Sequence, residues 1–151
     1  MHDPGFITRA REILESFRRL LGRELITRSG DAAEDARRLF ELPVAVLAHD
    51  TSPAPLLDWA NLAAARAFDA TPESLLGRPS AATAPADAVE DRRALFDVLG
   101  RQGFVTGYSG VRISLTARRF VIDDVTVVEV TDATGRPAGH AAVIGATRPA
   151  G

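Results

Sequence analysis

The sequence contains no cysteine and no lysine, and each absence removes a class of chemistry. Without cysteine the chain has no disulfide bond, no thiolate metal site, no cysteine nucleophile and no thiol-linked chromophore. Without lysine it has no Schiff-base chemistry, and all 18 basic residues are arginine.

Long apolar runs and strong net charge are also missing. No run approaches the ~20 apolar residues that a membrane-spanning helix needs, and the first six residues, MHDPGF, lack the basic and apolar parts of a signal peptide. The net charge is −2, and the pair Arg118-Arg119 is too small a basic patch for nucleic acid. We therefore expect a cytoplasmic protein with neither a nucleic-acid nor a membrane partner.

The common catalytic signatures are absent too. The sequence has no Gly-x-Ser-x-Gly, no P-loop, no Rossmann glycine pattern and no His-Glu-x-x-His. Haem or another metal could use His49 or His140, but no HxH or HxxxH spacing supports a site, so a hydrogen-bonded structural role is favoured. We expect no catalytic residue and no metal ligand.

Strand-forming patterns dominate the second half of the chain. Residues 103–145 are rich in Val, Ile, Thr and Phe and are interrupted by a turn at 131–135, which predicts a three-stranded meander. Apolar runs at 44–49 and 56–60 flank a proline-rich turn and predict a hairpin. Together these strands indicate an α+β fold, in which a five-stranded antiparallel sheet carries helices on one face and is preceded by N-terminal helices.

Helical periodicity fills the rest of the chain. It predicts helices over 8–28, 31–40, 62–68, 71–76 and 87–101. The first of them carries a wide apolar stripe formed by Leu14, Phe17, Leu21 and Leu25. Such a stripe packs either on the domain or on a second copy, and we expect a homodimer through this helix.

These elements favour a three-part organisation. An N-terminal helical extension is expected over residues 1–41, a folded domain over 42–145, and a flexible tail over 146–151.

The order and lengths of the elements resemble a PAS domain and, within that superfamily, a MEKHLA domain. The segments that carry the resemblance are LPVAVLAH (42–49), DWAN (58–61), LGRPS (76–80), GFVTGYSGVRIS (103–114), RRFVI (118–122) and GHAA (139–142). The string MEKHLA itself does not occur. The resemblance implies a PAS-like sensory or interaction role with no settled catalytic residues, in a stand-alone module of the bacterial type. It also implies a ligand space between sheet and helices and dimerisation through an N-terminal helix.

A ligand pocket is expected between the inner face of the sheet and the short helices within 62–76, where small alanines leave room. The predicted ligand-binding residues are Trp59, Ala64, Phe68, Leu75, Arg92, Tyr108, Arg112 and Phe120. Arg92 lies on an apolar helical stripe and needs a carboxylate or a ligand anion as its partner. Gly107 and Gly110 allow a bulge, so the sequence leaves open whether Tyr108 and Arg112 face inward.

Three functions remain open at the level of sequence. The first is a non-catalytic sensory module that binds a small apolar or aromatic ligand, with room for one acidic group, and signals through self-association or a partner. The others are a small enzyme acting on a hydrophobic carboxylate and an interaction module without a ligand. A non-covalent flavin or haem is compatible with the sequence, although no motif indicates either.

Overall fold

The computed structural model describes residues 3–150, and within them residues 88–92 by their backbone alone. In this range five strands form one antiparallel sheet in the order β2-β1-β5-β4-β3. The strands are β1 (Ala45–His49), β2 (Leu57–Ala60), β3 (Phe104–Ile113), β4 (Arg119–Thr131) and β5 (Pro137–Pro149). The predicted α+β class, the hairpin and the meander are confirmed.

The helices begin at residues that can cap them. They are α1 (Pro4–Leu21), α2 (Ala32–Glu41), α3 (Leu62–Ala67), α4 (Pro72–Leu75) and α5 (Val89–Gln102). Asp31 and Asn61 each accept a hydrogen bond from the amide three residues along, which satisfies a free N–H of the first turn. The first helix ends at Leu21 and not at residue 28, because Gly22 takes a left-handed φ of 74° and caps it.

The sheet separates two apolar cores. The inner core lies between the sheet and α3, α4 and α5, and includes Leu47, Phe68 and Leu95. The outer core lies between the opposite face and α1 and α2, and includes Phe17 and Trp59. Alternate residues of the central strands therefore enter different cores, as the two-residue period of a strand requires.

The stripe of α1 is buried within the chain itself. Ile13, Leu14 and Phe17 are each at most 1% exposed and pack on the outer face of the sheet. Burying one such side chain stabilises the fold by about 1.5–3 kcal/mol. The stripe therefore packs on its own domain, which is one of the two alternatives. It does not provide the expected surface for a second copy.

The C-terminal residues extend the sheet. The tail expected from residue 146 continues β5 up to Pro149, where Thr147 and Arg148 pair with Ile122 and Val121 of β4. The prediction of a flexible tail is therefore wrong for residues 146–149, because these residues complete the ladder of β4.

Candidate functional site

The inner core contains a cavity of about 70 Å³. Most of its wall is apolar and comes from the central strands, including Leu47, Val127 and Ala142, and from Leu95 and Phe96 of α5. Polar side chains reach it at a few points only. This combination of apolar wall and sparse polar groups is typical of a small-molecule site.

A bulge in β3 turns polar side chains towards the cavity. Val105 and Tyr108 both face inward although they are three residues apart, because β3 carries one extra residue between them relative to β4. Gly107 supplies the left-handed backbone at this bulge, with φ 67°. The orientation that the sequence left open is thus settled: Tyr108 and Arg112 line the cavity.

Arg112 is a buried cation at this wall, with 7% of its surface exposed. One Nη1 N–H donates a 2.8 Å hydrogen bond to the carbonyl oxygen of Val111, and Nη2 lies 3.4 Å from the hydroxyl oxygen of Tyr108. Its guanidinium carbon lies 5.6 Å from the centre of the Tyr108 ring. Within the described part of the chain, no carboxylate forms an ion pair with Arg112.

Gly110 makes room for this arrangement. A Cβ atom at Gly110 would lie 2.6 Å from the Tyr108 hydroxyl oxygen and 3.1 Å from Nη1 of Arg112. The side chains of Tyr108 and Arg112 therefore meet over a position that has no side chain of its own.

A pair of histidines forms another part of the wall. His49 of β1 and His140 of β5 are directly opposite each other, with ring centroids 5.1 Å apart, and both rings contact Phe96. Burial, and then the neighbouring His49, lowers the pKa of His140 to about 4. Among the described residues, the buried Nδ1 of His140 has no hydrogen-bond partner. No group of three His, Cys, Asp or Glu residues in the same range could hold a metal ion.

The cavity brings together some of the predicted site residues and separates others. Phe68, Tyr108 and Arg112 line it, whereas Ala64, Leu75 and Phe120 are buried in the surrounding inner core without lining it. The predicted role of Arg92 lies outside the described residues, because its side chain is among those not described.

Trp59 does not line the cavity, so its predicted place was wrong. It stacks on Phe6 in the outer core, and its Nε1 donates a 3.2 Å hydrogen bond to the Phe6 carbonyl oxygen. The reason is a bulge at Asp58: Leu57 pairs with His49 on the inner face, but Trp59 pairs with Ala48 on the outer face.

Sequence reasoning also missed several lining residues. It placed the pocket under α3 and α4, but the cavity extends over β1 and β5 towards α5, where Leu95 and Phe96 close it. Ser80 and Thr83, which lie in a short 3-10 helix between the predicted helices, line the cavity as well. The signal that could have found the histidine wall is register, because 45, 47 and 49 of β1 and 140, 142 and 144 of β5 face the same side.

A flavin or a haem does not fit this cavity. Pockets for ligands of that size measure roughly 300–1,000 Å³, against about 70 Å³ here. The sequence also lacks the cysteine that a thiol-linked chromophore requires. The residues in place instead suit a molecule of a few non-hydrogen atoms.

Comparisons with known proteins agree with this architecture. The model of the MEKHLA domain family matches residues 7–148, which is nearly the whole chain. No curated protein matches the sequence. No described helix is both long enough and apolar enough to cross a membrane.

Solved structures with the same fold are PAS and light-oxygen-voltage domains. A PAS domain from Colwellia psychrerythraea superposes with a TM-score of 0.65 at 13% identity, over 78% of this chain and 95% of that one. An RNA-binding light-oxygen-voltage receptor gives 0.64 at 20% identity, over 79% of this chain and 34% of the receptor. The PAS domain of a LuxR-family transcriptional regulator from Burkholderia thailandensis, in complex with ethanol, gives 0.56 at 15% identity, over 71% and 92%. At these low sequence identities, the similarity shows that this chain has the fold of PAS domains.

Proposed function

We propose that this chain, which belongs to the MEKHLA domain family, is a sensory module that binds a small ligand in the cavity of its inner core. The observation that carries the proposal is the cavity itself, a partly open and mostly apolar space with a few polar groups between the sheet and its inner helices.

The size of the cavity limits the ligand to a small molecule. A water molecule needs about 10–15 Å³ of such space, so about 70 Å³ admits a handful of waters or one compact organic molecule. The PAS domain from Burkholderia thailandensis was solved with ethanol, a ligand of this class. We place our ligand in the same size range.

The proposal also says how ligand binding is passed on, which is through the helix α1. The cavity wall and the outer core, where α1 packs, share strands, because Leu47 lines the cavity while its neighbour Val46 belongs to the outer core. A ligand that displaces β1 or β5 therefore alters the surface on which α1 packs. We propose residues 42–145 as the ligand-binding part and residues 1–41 as the part that passes the signal to a partner or to a second copy in the cytoplasm.

An interaction module without a ligand is the second candidate. Leu56 and Leu76 are 37% and 43% exposed, and their segments are joined by the bridge between Leu56 and Pro79 and by a hydrogen bond from the Gly77 amide to the Leu57 carbonyl oxygen. Exposed large apolar side chains of this kind mark contact surfaces when they form a continuous patch. In this alternative the cavity is a packing defect, and no small molecule stabilises the fold.

A cavity-filling variant distinguishes the two candidates. Ala142→Leu adds three carbon atoms at the cavity wall, and Ala146→Leu adds the same atoms at an exposed position of the same strand. If the cavity binds ligand, 1-propanol should raise the melting temperature of the wild type and of Ala146→Leu, but not of Ala142→Leu. The same response in all three proteins, or no response in the wild type, favours the interaction module.

A further inference from the structure

We infer that the ligand of this cavity is a short-chain monocarboxylate whose acid group pairs with Arg112. The inference rests on the proposed function and adds the chemical class of the ligand. Its starting point is a guanidinium that faces an apolar cavity and has 7% of the residue's surface exposed. A cation in such a place is costly unless an anion compensates it.

Three arginines at or next to the neighbouring strands β4 and β5 show what is unusual about Arg112 of β3. Arg118 pairs with Asp69, Arg119 with Asp87, and Arg148 with Asp123. These three side chains are 48%, 51% and 61% exposed, so water could solvate them without a partner. Of these four described arginines, the buried Arg112 most needs a carboxylate, yet it is the one without such a partner.

Arg112 has hydrogen-bonding capacity left for an anion. The protein acceptors it reaches are the Val111 carbonyl at 2.8 Å and the Tyr108 hydroxyl at the long distance of 3.4 Å. A guanidinium carries more N–H donors than these two bonds use, and the tyrosine hydroxyl keeps its own proton to donate. Together they offer more than one N–H or O–H donor, and a carboxylate can accept such bonds through both of its oxygens.

The remaining wall selects a monocarboxylate from the small anions. Ser80, Thr83 and the histidine pair also line the cavity, but among the described lining residues Arg112 is the one arginine and matches a single negative charge, while Ile122, Val125 and Val127 of β4 are apolar. These three suit a short alkyl chain. His140, whose pKa lies well below neutrality, adds no second cation.

A matched pair of probes tests the inference, because propionate and propionamide have nearly the same shape and differ in charge. We expect wild-type protein to bind propionate at least about tenfold more tightly than propionamide in a calorimetric or NMR titration, as a charge-assisted bond predicts. Arg112→Met, checked for folding by its amide spectrum, should lose this preference. The wild-type comparison decides the question by itself if that variant does not fold.

The outcomes separate the inference from the proposed function. Equal binding of propionate and propionamide by the wild type, with both lost in Ala142→Leu, overturns the carboxylate and leaves the ligand cavity in place. Preference for propionate that persists in folded Arg112→Met overturns the role of Arg112. Failure of propionate, propionamide and 1-propanol to bind at all overturns both proposals.

Discussion

Arg9 of α1 donates a 2.9 Å hydrogen bond to the carbonyl oxygen of His49, whose imidazole lines the cavity on the other side of the sheet. The same guanidinium pairs with Asp58 at 3.2 Å and with Glu12 at 3.1 Å. Gly139 permits this approach, because a Cβ atom there would lie 1.8 Å from the His49 oxygen and 3.1 Å from Nη2 of Arg9. The N-terminal helix is thus tied directly to a strand of the cavity wall.

Replacing Arg9 should weaken the attachment of α1 to the sheet. Arg9→Ala removes a charge-assisted hydrogen bond and leaves Asp58, whose pKa burial already raises, without its cation. We expect the free energy of unfolding in urea to fall by about 1.5–3 kcal/mol. The control is Arg11→Ala, an exposed position on the same helix, which should change it by less than about 0.5 kcal/mol. Equal midpoints for the two variants would contradict a structural role for the Arg9 contacts.

The buried stripe of α1 gives a second prediction. Phe17→Ala should lower the free energy of unfolding by about 3–5 kcal/mol in a way that does not depend on protein concentration, since the ring is buried within one chain. Light scattering and urea unfolding at two concentrations check this. A cost that grows with concentration would mean that the stripe is buried between copies.

The strands and the helix stripes were predictable because each follows from a local period of the sequence. Val46 and Ala48 on one face and Leu47 on the other obey the plain two-residue alternation of a strand. The packing of α1 could not be decided in this way, since an apolar stripe that packs on its own sheet looks the same as one that packs on a second copy.

The candidate site was predictable only in part, because bulges change which face a residue takes. Tyr108 and Trp59 illustrate the two results: the bulge in β3 turns Tyr108 into the cavity, and the bulge at Asp58 turns Trp59 away from it. The register of a bulge depends on the partner strand, so no single-strand pattern contains it. The pairing of His49 with His140 also depends on register.

His140 should make stability depend on pH. Its pKa in the folded chain is about 4, below the ordinary value of 6.5, so the unfolded chain binds more protons between these values. His49 faces it from β1 and Glu129 from β4. The stabilisation from neutral His140 is complete above pH 6.5 and is lost as the pH falls towards 4. After allowance for its partial exposure we expect a loss of about 1–2 kcal/mol.

Urea unfolding across this pH range checks the histidine prediction. His140→Gln stays uncharged, so its stability should fall less steeply than that of the wild type between pH 6.5 and 4. Parallel curves of unfolding free energy against pH for the two proteins would show that His140 titrates as it does in water.

Gly110 offers a test of how Tyr108 and Arg112 are positioned. Gly110→Ala should displace these two flexible side chains at a cost in stability below about 1 kcal/mol, because φ at Gly110 is not positive and the close atoms are side-chain ends. It should nevertheless weaken propionate binding several-fold. Gly100→Ala, where a Cβ meets nothing within 4 Å, is the matched control and should leave binding unchanged. The same affinity in both variants would show that this contact does not shape the site.

The most direct test of a ligand cavity in the inner core is the position of a bound probe. Carbon-labelled propionate in complex with the protein should give nuclear Overhauser effects from its methyl group to the methyl groups of Leu47, Val127 and Ala142, which line the cavity from three strands. It should give none to Val46 or Val128, which face the outer core on the other side of the sheet. Contacts confined to outer-core or surface methyl groups, with none to the three cavity residues, would contradict the account.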